Sequence, residues 1–396
     1  MIILADAGLH VHLQPLTFTR PVGMLRPGIL TIGESWARMT EMPVGYRTED
    51  HLQAKHPFHA DQAIIEVLGG LLPTPDVVGA VLDLEPGQVL LHGQRVLAFH
   101  REGQGGPSLP DWTVPPAYFS PVQFGGELLI IEHPWHLFQH CGRAIVNDFA
   151  LLTEGRRSQP VSTLNTIIGD PSLVFLEPGA EVEASILNTK NGPIYLGRGA
   201  EIMEGCMLRG PVALGEGAVL KMGAKIYGAS AFGPECRVGG EVSNSVLQGY
   251  SNKGHDGFLG NSVLGEWCNL GADTNTSNLK NTYGAVQAYS YATDGQVDTG
   301  LQFCGLVMGD HSKSGINTMF NTGTVVGVAA NVFGSGFPPK HVPSFVWGGA
   351  EGFSEHTLSK AMETAQRVME RRHVPLTAVD KAILEHVLKA TASQRD

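Results

Sequence analysis

From Leu196 to Val238 a bulky apolar residue recurs every six positions, at Leu196, Ile202, Leu208, Leu214, Leu220, Ile226, Phe232 and Val238. A small or β-branched residue stands two places before most of them, at Ala200, Cys206, Val212, Ala218, Ala224 and Cys236. Neither the helical period nor the alternation of a simple strand produces a six-residue recurrence. The pattern instead predicts a triangular solenoid, in which each hexad makes one short strand and one corner and three hexads complete a coil of about eighteen residues. Bulky side chains fill the interior, small residues turn the corners, and glycine tolerates the positive φ such corners demand. Cys206, Cys236 and Cys268 fall at small inward positions, where packing is the expected role.

The rhythm begins earlier, at Leu176 and Val182, so the solenoid is expected to start near Leu164. It breaks around residues 243–253 and resumes at Phe258, Leu264 and Leu270. A second interruption, across residues 274–301, is followed by Met308, Ser314, Phe320, Val326 and Val332. Both breaks read as insertions, which in a solenoid form loops on one side and frequently carry binding residues. After Phe345 the spacing of Leu358, Met362, Ala365, Val368 and Met369, then of Ile383, Val387 and Leu388 beyond Pro375, predicts two amphipathic helices. Such a tail is expected to cap the open solenoid end or to pack on a neighbouring subunit.

Length adds that 396 residues exceed one ordinary core. The expected division is an α/β domain over 1–160, a β-helix over 161–350 and helices over 351–396. Fifty glycines without a Gly-X-Y period, with only 16% charged residues, favour turn-rich β structure over collagen or disorder. A net charge of -11 argues against a general nucleic-acid surface, so any phosphate must be met locally. The five cysteines show no CxxC pair and read as reduced thiols. No basic leader opens the chain and no apolar run reaches about 18 residues, so a soluble, cytoplasmic protein is expected.

The stretch Ser251-Asn-Lys-Gly-His255-Asp-Gly-Phe258-Leu-Gly, continuing through Asn269-Leu-Gly-Ala272-Asp-Thr to Asn278, carries the candidate chemistry. It resembles the acetyltransferase domain of the bifunctional N-acetylglucosamine-1-phosphate uridyltransferase family, whose pattern runs K-x-x-H-x-x-Y-x-G, then N-x-G-x-G-T, then a further Asn. The resemblance implies a left-handed β-helix, with His255 as the general base that takes a proton from the amine of glucosamine-1-phosphate as it attacks acetyl-CoA. A neutral imidazole suits that task near neutral pH. It further implies that Lys221, Phe258, Asn269 and Asn278 bind the substrate and that the backbone at Ala272 approaches the acyl group. This chain departs from the pattern at Phe258, where the family has tyrosine, and at Ser243, where a basic residue is expected. Lys253 also stands one residue nearer the histidine, and Asp273 replaces a glycine. On residue type alone, His255 also fits a polar loop, the asparagines fit turn-stabilising roles, and Lys221 fits a solvated cation.

Leu13-Gln-Pro-Leu-Thr-Phe-Thr-Arg20-Pro resembles the opening of sugar-1-phosphate nucleotidyltransferases, whose glycine-rich loop cradles a nucleoside triphosphate. His10-Val-His12 stands where that family has G-T-R, and Val22 where it has lysine. Thr17, Arg20 and Arg26 are the expected nucleotide contacts. Mg2+ is the expected metal, its ligands unassigned; Asp6, Asp83 and Asp148 are candidates by residue type.

Taken together, the chain is similar to an alternative bacterial form of the bifunctional family, with a short divergent head. The resemblance implies acetylation of an amino sugar 1-phosphate, uridylyl transfer from UTP, and a homotrimer with the acyl donor between solenoids. Two other readings stay open: an acetyltransferase whose head is regulatory, and a noncatalytic scaffold subunit.

Overall fold

The computed structural model describes residues 1–57, 65–101, 112–113 and 118–395. They fall into two compact units, Met1–Leu13, Arg20–Leu25 and Leu30–His133 in the first, Gln14–Thr19, Arg26–Ile29 and everything from Pro134 onward in the second.

The first unit is an α/β structure on a six-stranded sheet. Strand Ile2–Ala5, buried along its whole length, lies between parallel neighbours Val44–Arg47 and Ile65–Leu68. Arg95–His100, Gln88–His92 and Ser120–Gln123 follow in that order, the first two pairings antiparallel and the last parallel. Helix Ile32–Thr40 starts on a capping box, Thr31 accepting from the Glu34 N–H and Glu34 accepting from the Thr31 N–H.

The second unit opens on helix His136–Thr153 and then forms the parallel β-helix that the six-residue rhythm predicts. The first face runs from Thr166–Ile168 to Phe258–Gly260, the second from Val174–Leu176 to His341–Val342, and the third from Glu181–Val182 to Gly352–Glu355. Register partners such as Ile194 and Val212 lie one coil apart. The eight rhythmic residues from Leu196 to Val238 all point inward, none more than 2% exposed. Burial of each such side chain is worth about 1.5–3 kcal/mol before the cost of ordering the chain.

The two breaks in rhythm have different causes. Around 243–253 there is no inserted loop: Arg237 pairs with Asn252 and Ala231 with Val246, so this coil is simply shorter than its neighbours. The second break is a true excursion, since Leu264 pairs with Met308 and the extra chain holds the antiparallel hairpin Gln287–Ser290 with Gly295–Asp298. Tyr289 of that hairpin stacks on His341 with centroids 3.5 Å apart.

One corner departs from the small-residue expectation. Gly217 has φ +62°, but its equivalents on the next coils are Glu235, Tyr250, Trp267 and His311, with φ +59°, +53°, +61° and +61°. Each non-glycine residue held there costs on the order of 1–3 kcal/mol. Stacking of Tyr250 on Trp267 (4.2 Å, 16° between planes) and of Trp267 on His311 (6.3 Å, 11°) offsets part of that cost. The tail forms helices Leu358–Glu370 and Ala378–Ala390 on either side of Pro375. Among the described residues no helix is long and apolar enough to cross a membrane.

Candidate functional site

On the third face Arg237, Asn252, Asn269 and Lys313 are register partners on successive strands, one outward row. The residues that follow them, Val238, Lys253, Leu270 and Ser314, form the inward row. A cavity of about 670 Å³ lies over the outward row. Its wall brings together Lys221, His255, Asn269 and Ala272, four of the residues singled out from sequence. Arg237, Lys313, Arg371 and Arg372 add further cations, and among the described residues no Asp or Glu lines it.

His255 sits on the short connection between strands Asn252–Lys253 and Phe258–Gly260 and is exposed. Its imidazole makes no hydrogen bond among the described residues, whereas its main-chain carbonyl accepts from Lys253 Nζ at 2.6 Å. Lys253 is only 2% exposed. Burial pushes its ammonium down to about 8, against the opposing pull of Asp256 and Asp273. Ala272 lines the cavity, and its N–H meets no acceptor among the described residues.

The cations differ in what already occupies them. Arg237 donates to Gly217 O at 2.7 Å and to Glu235 Oε2 at 2.9 Å. Lys313 donates to His311 O at 2.9 Å, and burial holds its ammonium below the usual range. Arg372 reaches Glu235 at 3.8 Å and is held down by burial and then by the neighbouring Arg237 charge. The Lys221 ammonium makes no hydrogen bond among the described residues, while its main chain donates to Val238 O at 2.7 Å and accepts from the Ala224 N–H at 3.1 Å.

Phe258 and Asn278 do not line this cavity. Both side chains lie against Gly260, the Phe258 N–H donates to Asn275 Oδ1 at 2.8 Å, and Asn278 Nδ2 donates to Asn261 Oδ1 at 2.9 Å. None of the 274–301 excursion lines the cavity. Of the expected nucleotide contacts, Arg20 belongs to the first unit while Thr17 and Arg26 belong to the second. Thr17 is fully buried, Arg20 is 6% exposed, and Arg26 exchanges backbone bonds with the Gln248 side chain at 2.7 and 3.1 Å. Asp6 accepts from the Val22 N–H at 2.8 Å and the Thr48 hydroxyl at 2.6 Å. Among the described residues no group of three or more His, Cys, Asp or Glu converges as metal ligands would.

Sequence reasoning missed Arg237, Asn252 and Lys313, although a signal existed: each immediately precedes an inward position of the repeat, as Asn269 does. Arg371 and Arg372, from the end of the first tail helix, carried no such signal, because only folding brings the tail beside the third face.

Residues 1–157 match the model of a sugar nucleotidyl transferase family. A stretch of 87 residues, 22% of this chain, is 32% identical to the bifunctional protein GlmU of Methanocaldococcus jannaschii and spans 21% of that protein's length. Among solved structures, the polySia-specific acetyltransferase NeuO aligns over 52% of this chain and 94% of its own, at 11% identity and a TM-score of 0.28. The Arabidopsis UDP-N-acetylglucosamine acyltransferase aligns over 60% and 99%, at 12% identity and a TM-score of 0.25. The polysialic acid O-acetyltransferase OatWY aligns over 49% and 86%, at 14% identity and a TM-score of 0.20.

Proposed function

We propose that the chain transfers the acetyl group of acetyl-CoA to the amine of an amino sugar 1-phosphate, with glucosamine-1-phosphate as the first candidate. The observation that carries this reading is the cavity itself: Lys221, His255, Asn269 and Ala272 line one space whose remaining charged residues are all cations. A ligand bearing phosphates suits such a wall, and the chain's net charge of -11 makes the local excess of cations the more telling.

In the proposed reaction the amine nitrogen attacks the thioester carbonyl carbon while His255 accepts the amine proton. The carbonyl oxygen becomes an oxyanion, which the unengaged Ala272 N–H can meet. The C–S bond then breaks, and the departing thiolate takes the proton from the His255 imidazolium. Lys221 holds the sugar phosphate and Asn269 the sugar. Phe258 and Asn278, which do not line the cavity, are assigned no step. A homotrimer, with neighbouring solenoids completing the donor site, is part of the same proposal.

For the head, the match to a sugar nucleotidyl transferase family supports a second reaction, transfer of a uridylyl group from UTP with Mg2+ to give a UDP-N-acetyl sugar. A reading with acetyl transfer alone and a regulatory head is favoured by one observation. Val22, in the place of the family's lysine, is fully buried in the first unit. Pyrophosphate release from UTP, Mg2+ and the acetylated sugar phosphate decides between the two. Thiol release from acetyl-CoA with glucosamine-1-phosphate tests the solenoid reaction, and its absence with every amino sugar phosphate would return the protein to the scaffold reading.

A further inference from the structure

Lys253 occupies the inward row of the third face, between Val238 and Leu270, where every other coil places an apolar or small polar residue. Side chains alternate along a strand, so moving a residue by one place moves it to the other side of the sheet. Asn252 faces the cavity, and the lysine one place nearer His255 faces the interior.

An amine buried in an apolar core costs free energy unless it is engaged. Among the described residues the acceptor it meets is the His255 carbonyl, at 2.6 Å. The preceding coil is cut to fit this contact. A Cβ at Gly240, whose φ is +68°, would stand 2.9 Å from Lys253 Nζ and 2.8 Å from the His255 carbonyl oxygen. A Cβ at Gly239 would stand 2.6 Å from the Gly254 oxygen. General bases are usually aimed by a hydrogen bond to the second ring nitrogen. The His255 ring has no such partner among the described residues, so its aim depends on its main chain.

We infer that Lys253 is a positioning residue for His255, holding the 254–257 connection from inside the solenoid rather than touching the substrate. The inference rests on the acetyl-transfer reading for its kinetic consequence, but the anchor can be tested without any activity. Charge-assisted bonds of this kind are short and strong, and the connection carrying His255 has few other ties: the Gly257 and Asp256 carbonyls accept from Glu241 N–H at 3.3 Å and Asp273 N–H at 3.1 Å.

The experiment compares wild type with Lys253→Met, which keeps the unbranched shape and removes every donor, and with Gly240→Ala, which reaches the same contact from the neighbouring coil. Both anchor variants are expected to lower kcat for thiol release by about 10- to 100-fold, with KM for each substrate moving less than about threefold. Lys253→Met is expected to melt at or above the wild-type temperature, because a buried charge gives way to an apolar side chain. Crystal structures supply the readout that needs no activity. Wild type should show the Lys253–His255 bond, and Lys253→Met should show residues 254–257 displaced or without density. A Lys253→Met variant with wild-type kcat, or an unmoved connection in its crystal structure, would overturn the inference. So would a fall of more than about 10 °C in Tm, which would make Lys253 a structural residue. If wild type itself transfers no acetyl group while the crystal structures behave as described, it is the functional reading that fails and the anchor that stands.

Discussion

Arg372 Nη2 lies 3.5 Å from Asn252 Oδ1, so a side chain just past the helix Leu358–Glu370 meets the middle of the outward polar row on the third face. The tail therefore contributes to the cavity wall in addition to any capping or subunit contact. Removing one charge-assisted contact to a phosphate costs about 1.5–3 kcal/mol, roughly 10- to 100-fold in affinity. Arg372→Met and Lys221→Met are each expected to weaken binding of CoA or of glucosamine-1-phosphate by about tenfold or more in isothermal titration. Unchanged affinity for both ligands in both variants would show that these cations do not face a phosphate.

Phe258 stands where the resembled family has a tyrosine, yet its side chain lies against Gly260 and outside the cavity. Phe258→Tyr is accordingly expected to change KM for glucosamine-1-phosphate by less than about twofold. A drop of tenfold would place that ring against the sugar after all.

The buried Lys253 ammonium also makes stability depend on pH. Its folded value of about 8 lies below the ordinary 10.5. Between those two values the unfolded chain holds a proton that the folded chain has released, so this group's contribution to stability rises with pH through that window. Lys253→Met should thus exceed wild type in stability most at pH 7, by about 3 kcal/mol before allowing for the lost hydrogen bond, and the gap should close as pH approaches 10.5. Thermal melts of both proteins at pH 7 and pH 10 give the comparison, and a gap that widens with pH would contradict the assignment.

All five cysteines are buried and unpaired. Burial raises every thiol, Cys236, Cys268 and Cys304 each to about 12. Native protein is expected to release less than about one equivalent of thionitrobenzoate from a disulfide reagent over minutes, and the denatured chain all five. Rapid modification of the native protein would reveal a reactive thiol that packing alone does not explain.

Much of this architecture could be read before folding because the solenoid writes its inward face into the chain at a fixed interval, from Leu196 to Val238, and helical spacing marks Leu358 to Met369 just as directly. The shortened coil at 243–253 is indistinguishable from an insertion in the sequence, because a coil lacking three residues and a coil carrying a loop interrupt the rhythm alike. Lys253 is a case of the same kind: its meaning depends on which side of the strand it faces, and that register is lost across the shortened coil. His255, Asn269, Ala272 and Lys221 were legible through motif and repeat position. Arg371 and Arg372 were not, because a residue brought from over a hundred positions away leaves no local pattern. The aromatic corner at Tyr250, Trp267 and His311 escaped for another reason: glycine is the usual signal for a left-handed φ, and stacking supplies the compensation here.

Whether His255 is the base for acetyl transfer in this cavity is decided by thiol release from acetyl-CoA with glucosamine-1-phosphate, comparing wild type with His255→Ala. Wild type is expected to release thiol and the variant to lose about a hundredfold or more in kcat, with its melting temperature unchanged. Release by His255→Ala within about tenfold of wild type would remove His255 from the role of base.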